Sequence, residues 1–360
     1  MSTLTMPTIT IAFQQAAATA LARSQKGTVA LLLRDAALAD KSYELTAPSQ
    51  IPAGMGAANK AAVRRAFLGY VKPPKKVLLY VMDAEDEISA GCGALTWLAT
   101  QQFDYLAGPG DLTAAEAAVM KTWVLTQRSD NHAIYKVVLP DTAADSEAVV
   151  NFVGTGIDIG ETDKLTAAGY CGRIAGLLAG TPMKISATYA PLPEVRDVTR
   201  LSETELNTAV GAGKLVLFWD GEKVKTGRAV NSLTTVTGKS DEWKKIKIVE
   251  LLDMVGHDLR RAIEDNYIGK YANTYANKLL LVTAITDYLR SLERDGLILP
   301  DYACGIDVDA QQEWLEGQGT STVDMSEQEI KEAGTGTNVF LRISIHPVDA
   351  IEDVTVAIVL

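Results

Sequence analysis

The chain has 360 residues, 47% of them hydrophobic and 22% charged, with a formal net charge of -11, which fits a globular protein of two or three domains with ample length to bury a core. The acidic balance argues against broad nucleic-acid binding, which needs a basic face. MSTLTMPTIT lacks the basic start of a signal peptide, and no stretch approaches the ~20 apolar residues of a membrane-spanning helix, so no membrane contact is expected. The three cysteines, Cys92, Cys171 and Cys304, are odd in number and far apart, and are expected to be reduced core thiols.

Residues 8–13, TITIAF, alternate apolar and polar positions, the period of a half-buried strand. Ala-rich, weakly patterned sequence follows, so residues 1–26 are predicted to be an arm strand on a tether. Residues 27–72 are predicted to form a small unit of their own, with a buried strand in TVALLLRD and a helix over 57–70. From Pro73 the pattern becomes strands alternating with helices, at 76–82, 93–100, 103–107, 113–128, 135–140, 149–153 and 165–179. Repeated β-α units imply a parallel sheet covered on both faces. Gly108-Pro109-Gly110-Asp111 is a turn into a helix capped by Thr113, with Glu116 at the capping-box spacing. Gly154, Gly156 and Gly160 stand where dinucleotide-binding glycines would, but they are spaced G-x-G-x-x-x-G and no acid ends the next strand. A tight β-α turn is the better account. Asp220-Gly221, between strand-like runs at 214–218 and 223–228, marks a hairpin.

The most strongly patterned stretch runs over residues 243–296. Ile248, Leu252, Val255, Leu259 and Ile263 step by three or four along one helix face, with Asp241 and Glu242 near its positive end. A second stripe, Leu279, Val282, Ile285, Leu289 and Leu292, ends in Arg290, Arg294 and Gly296, a basic last turn before a terminating glycine. The two helices flank the turn D-N-Y-I-G-K at 265–270. Between Asp301 and Glu332 nine acids face one base, Lys331, which fits a solvated face or a surface for a basic partner. Val339, Leu341, Ile343 and Ile345 then alternate as a strand, and after the P-V-D-A turn Val354, Val356, Ile358 and Leu360 alternate again. Chain termini are usually frayed and polar, so an apolar strand there needs a sheet edge, its own chain's or another's.

The helix ending in D-N-Y-I-G-K, with Asn273 just after it, resembles the C-terminal domain of contractile-tail sheath proteins, which coat the tail tubes of phages, including short Gram-positive types, and of phage-tail-like bacteriocins. LTAAGYCGRIAGLLAGTP at 165–182, AVNSLTT at 229–235 and PVDAIEDV at 347–354 match the same family in the same order. The resemblance implies an α/β fold: a parallel-sheet middle domain of subtilisin-like topology over 73–236 and an α+β C-terminal sheath domain over 237–360, with β-strand arms at both ends. It further implies a structural subunit of a contractile tail sheath, which polymerises helically around the tail tube and contracts to drive that tube through a target cell envelope. Arm strands carrying Ile9, Ile11 and Phe13, and Val354, Val356, Ile358 and Leu360, would complete sheets in neighbouring subunits by β-augmentation, a head-to-tail contact that builds a helix. Arg260, Arg261 and Lys270, a basic group in an acidic chain, are the candidate tube contact. The implied partners are neighbouring sheath subunits, the tail tube, the baseplate and the tail terminator, with no nucleic acid. The implied place is the virion tail sheath or a bacteriocin particle, assembled in the bacterial host cytoplasm.

A subtilisin-like topology also raises the possibility of protease chemistry. None of His132, His257 and His346 stands in a subtilase-like H-G-[ST] context, and no G-[ST]-S-M nucleophile motif is present. Catalytic, cofactor-binding and metal residues are therefore expected to be none. The competing expectation, an α/β hydrolase or nucleotide-binding enzyme, requires perturbed titratable groups clustered at the strand ends.

Overall fold

The computed structural model describes residues 21, 26–38, 41–160 and 164–359. Ile9, Ile11, Phe13 and Leu360 lie outside the described residues. Contacts divide the described chain into two units, residues 26–257 with 347–359, and residues 258–346.

The first unit is built on one sheet of eight strands: β1 (Thr28–Arg34), β2 (Lys41–Leu45), β3 (Lys76–Met82), β4 (Tyr105–Ala107), β5 (Lys136–Pro140), β6 (Val149–Val153), β7 (Lys214–Trp219) and β8 (Val224–Thr226), in the order β2-β3-β1-β4-β5-β6-β7-β8. The strands from β3 to β7 in that order run parallel. At the edges β2 and β8 pair antiparallel. Both faces are buried, which is why β1 is apolar at consecutive positions. Val29, Leu31 and Leu33 enter one core layer with Val63 of α1 (Ala57–Ala66) and Ile174 and Leu178 of α4 (Ala167–Ala179). Ala30 and Leu32 enter the other, with Leu95 and Leu98 of α2 (Gly93–Leu98) and Met120 and Val124 of α3 (Ala114–Asp130). Thr113 and Glu116 cap α3 reciprocally.

The expectation that residues 27–72 stand apart is corrected by this sheet. β1 lies between β3 and β4, because a strand apolar on both faces needs a neighbour along each edge and cover above and below. Between α1 and α4 the backbones nearly touch: a Cβ on Gly176 would lie 1.9 Å from the Ala66 carbonyl oxygen. Helix α5 (Glu203–Gly211), with its Ser202 and Glu205 capping box, precedes the β7-β8 hairpin.

Helix α6 (Ile246–Asn266) contains the division between the units, and Asp241 and Glu242 lie in a separate single turn before it. The second unit holds the rest of α6, then α7 (Tyr275–Arg294), β9 (Ala303–Ile306), α8 (Val308–Gly317), α9 (Glu327–Glu332) and β10 (Leu341–Ser344). Helix α7 ends in a Schellman motif: the Leu297 N–H donates to the Leu292 oxygen at 3.0 Å, the Gly296 N–H to the Glu293 oxygen at 2.7 Å, and Gly296 takes φ 69°. Its buried face carries Ile285, Leu289 and Leu292 as predicted, but departs from the prediction in the first turn. Leu279 is 41% exposed while Lys278 is 3% exposed, because Gln311 and Thr335 accept from the Lys278 ammonium at 3.1 and 3.0 Å. Strands β9 and β10 pair antiparallel as a two-stranded sheet. The predicted strand over 354–360 has no regular structure at 354–359, where Val354, Val356 and Ile358 are 71%, 73% and 83% exposed.

Candidate functional site

In open α/β sheets ligands bind beyond the carboxyl ends of the strands. There, Arg34 at the end of β1 pairs with Asp111 at 2.6 Å and with Glu116. Glu116 also accepts from the Ile88 N–H and, as the N3 carboxylate of its helix, from the N–H and hydroxyl of Thr113, each at 2.9 Å. Burial acts to raise the Glu116 carboxyl, but these hydrogen bonds and Arg34 outweigh it and hold it below the ordinary range. A carboxylate so fully occupied caps a helix and steadies a loop; it has no free lone pair for a proton relay. The adjoining cleft of about 470 Å³ is lined by residues 84–90, 111, 113, 115, 116 and 119 with Arg34, without a histidine or cysteine among them.

The densest buried charge lies at the opposite, amino ends of the strands. Glu250 on α6 pairs with Lys26 at 2.5 Å and accepts from the Tyr105 hydroxyl. One turn on, Asp253 accepts from Lys136 at 2.8 Å and from both arms of Arg128 at 2.8 and 3.1 Å. Burial pushes the Lys26 ammonium down and the Tyr105 phenol well up. It also acts to raise Asp253, but Lys136 and Arg128 outweigh it and leave that carboxyl below its usual value. A cavity of about 110 Å³ adjoins this network, with half-buried His257 in its wall. Each charge has an opposite partner, so the network fastens the start of α6 to the sheet.

The other histidines are equally plain. His132 follows α3 with φ 52°, and His346 Nδ1 lies 2.8 Å from Asp301 in a pair more than half exposed on both sides. Among the described residues no group of three His, Cys, Asp or Glu side chains is placed to hold a metal ion. Cys171 is buried, whereas Cys92 and Cys304 are only half-buried, a correction to the expected core placement; burial pushes the Cys304 thiol up to about 11.

The stretches that resembled the sheath family perform structural tasks. Buried Arg173 donates to Glu194 at 2.5 Å and to the Gly69 oxygen at 2.7 Å. The Asn273 amide donates to the Gly336 and Asn338 oxygens, each at 2.8 Å, tying the turn after α6 to the loop before β10. An apolar groove of about 520 Å³ lies there, walled by Ile263, Ile268, Tyr271, Leu281 and Val339, with Ile268 64% exposed. Residues 347–353 are strapped onto the first unit. Lys245 pairs with Asp349, Lys247 donates to the Val348 oxygen, and Arg228 pairs with Asp353. The Glu352 carboxylate, 5% exposed, accepts from Ser186 at 3.1 Å and Thr188 at 2.5 Å, with Arg228 and Lys245 at 3.5 and 3.6 Å. None of these basic or hydroxyl partners was legible as such in sequence, although alternating Lys245 and Lys247 hint at two cations displayed together.

The predicted basic group is smaller than its residue count suggests. Arg260 and Arg261 are exposed on α6, but Asp265 lies 3.6 Å from Arg261, and its backbone oxygen accepts from Lys270. Several of the acids between Asp301 and Glu332 also have local work: Asp307 caps α8 and pairs with Arg342, and Glu329 completes the capping box of α9.

Residues 238–360 match the phage tail sheath C-terminal domain family. The tail sheath protein of Clostridium phage phiCD119 is 34% identical over 357 residues, spanning 97% of this chain and 98% of that one. Among solved structures, the sheath tail protein of Desulfitobacterium hafniense is similar with a TM-score of 0.66 at 19% identity, covering 83% of this chain and 94% of that one. The helical sheath of the anti-feeding prophage in its contracted state is similar with a TM-score of 0.71 at 16% identity, covering 99% of each. The fold agrees with these structures, and the extended match in sequence fixes the family: the chain belongs to the phage tail sheath proteins and is a structural, non-enzymatic protein.

Proposed function

We propose that this chain polymerises as a helical sheath around a tail tube, and that shortening of this polymer, triggered through the baseplate, drives the tube through a target cell envelope. The observation that carries the proposal is the terminal segment. Residues 347–353 are fixed by ion pairs, and residues 354–359 then leave with alternating apolar side chains in water, a form that β-augmentation of a neighbour's sheet would bury. A two-stranded sheet such as β9 with β10 is marginal alone and gains from a further strand. Because the surface given differs from the surface received, the contact is heterologous and propagates as a helix. The work would come from better burial and charge pairing between subunits in the short state.

Arg260, with Arg261 and Lys270, is the proposed tube-facing group, and the particle is a phage tail or a related injection device, assembled in the host cytoplasm with terminator and baseplate at its ends. Purified chain, alone and mixed with tail tube, viewed by negative-stain microscopy should form hollow tubes or ring stacks. A chain that stays monomeric at every concentration and with tube would contradict the proposal.

A further inference from the structure

The strap over residues 347–353 is held differently from the rest of the first unit. Beyond a single bridge position at Pro347 it contributes no strand, and its apolar Ile351 is 91% exposed. What holds it is charge: Asp349 on Lys245, Asp353 on Arg228, the Val348 oxygen on Lys247, and Glu352 set among Ser186, Thr188, Arg228 and Lys245. Thr188 also accepts from the Ala229 N–H at 2.9 Å, so the same hydroxyl binds the strap and the AVNSLTT segment behind Arg228. Immediately beyond Asp353 the exposed apolar run begins.

We propose that residues 347–353 with Arg228, Lys245 and Lys247 form an ionic clasp that fixes the point and direction from which residues 354–359 leave the subunit. Arg228, Lys245, Lys247, Ser186 and Thr188 are positioning residues for that segment, and Glu352 is the closing element. A segment that must reach a neighbour loses less freedom on binding when its root is already fixed. A clasp made of charge can also open without unfolding a core, since no buried apolar residue is drawn out with it. This rests on the proposal that the terminal segment links subunits.

Protection of residues 347–353 from limited proteolysis in the full chain, read beside assembly by sedimentation and microscopy, tests the clasp. Glu352→Lys sets a cation against Lys245 and Arg228 and should lower protection across the strap at least tenfold. Protection of β1 should stay unchanged, and tubes should be lost or shortened. Glu352→Gln, whose amide oxygen can still accept from Ser186 and Thr188, should fall between that variant and the unaltered chain. Raising ionic strength from about 0.1 to about 1 M shortens the Debye length from about 10 to about 3 Å, and should lower strap protection in the unaltered chain but little in Glu352→Lys. Unchanged protection in Glu352→Lys would overturn the clasp. So would lost protection with tubes of normal length, provided deletion of residues 354–360 still abolishes assembly; if that deletion also assembles normally, the linking role of the segment itself is what fails.

Discussion

Replacing Asp253 by Asn removes one negative charge from the network that fastens α6 to the sheet. In the structure that carboxylate takes three charge-assisted hydrogen bonds, at 2.8, 2.8 and 3.1 Å, from Lys136 and Arg128, whose side chains are 4% and 17% exposed. Its loss leaves two nearly buried cations without a counter-charge, a change that typically costs about 3–5 kcal/mol, a large share of the roughly 5–15 kcal/mol that holds a domain folded. Native-state hydrogen exchange at β5 should show that loss, because the reading is taken within the unit concerned. Replacing the three together, Asp253→Leu with Lys136→Met and Arg128→Leu, should cost less than the single change, since no charge then stays buried. The pH dependence has a fixed sign. A carboxyl held below its ordinary value stabilises the fold fully above about pH 4, and that contribution is lost as pH falls through the depressed value. The Asn variant should lack this part of the acid-induced loss. A single-variant cost under about 1 kcal/mol, on the scale of an exposed ion pair, would refute the account of α6 as fastened by buried charge.

Three further outcomes follow from packing and polarity. Gly176→Ala should lower the melting temperature, with a cost of about 1–3 kcal/mol for overpacking, because its Cβ would meet the Ala66 carbonyl oxygen; an unchanged melting temperature would show that α1 can retreat freely. Asn151, 1% exposed in β6, has neither side-chain polar atom hydrogen-bonded, so Asn151→Val should be neutral or stabilising by up to about 1–3 kcal/mol in urea unfolding. A marked destabilisation there would point to a buried water satisfying the amide. Charge reversal at Arg228 should loosen the strap as Glu352→Lys does, because Arg228 faces both Glu352 and Asp353; limited proteolysis after Ile351 reads it directly.

The sequence disclosed most where structure is local. The capping box at Thr113 and Glu116, the Asp220-Gly221 turn and the Gly296 helix stop stand where pattern and turn chemistry put them. Two equally local signals, Ser202 with Glu205 and Ser326 with Glu329, mark α5 and α9 and were available to the same reasoning. Strand order was not legible, because β1 finds its neighbours β3 and β4 at long sequence separation. The first turn of α7 was misjudged for a related reason. Lys278 is tolerated inside only because Gln311 and Thr335, both remote in sequence, accept from it. The strap shows the same limit, since Asp349 and Glu352 meet Lys245 and Arg228 about a hundred residues away in the chain. Its apolar continuation was legible as a pattern, but a pattern alone does not say whose edge it fits.

The central claim is that residues 354–360 serve another subunit. In the single chain Val354, Val356, Ile358 and Val359 are 71–93% exposed, so removing them forfeits only a small part of the roughly 1.5–3 kcal/mol each would be worth if buried. Assembly of the chain lacking residues 354–360, measured by negative-stain microscopy beside its melting curve, tests the claim most directly. The account predicts an unchanged melting temperature and no tubes. Tubes of normal length, or a subunit that unfolds or aggregates on truncation, would contradict it.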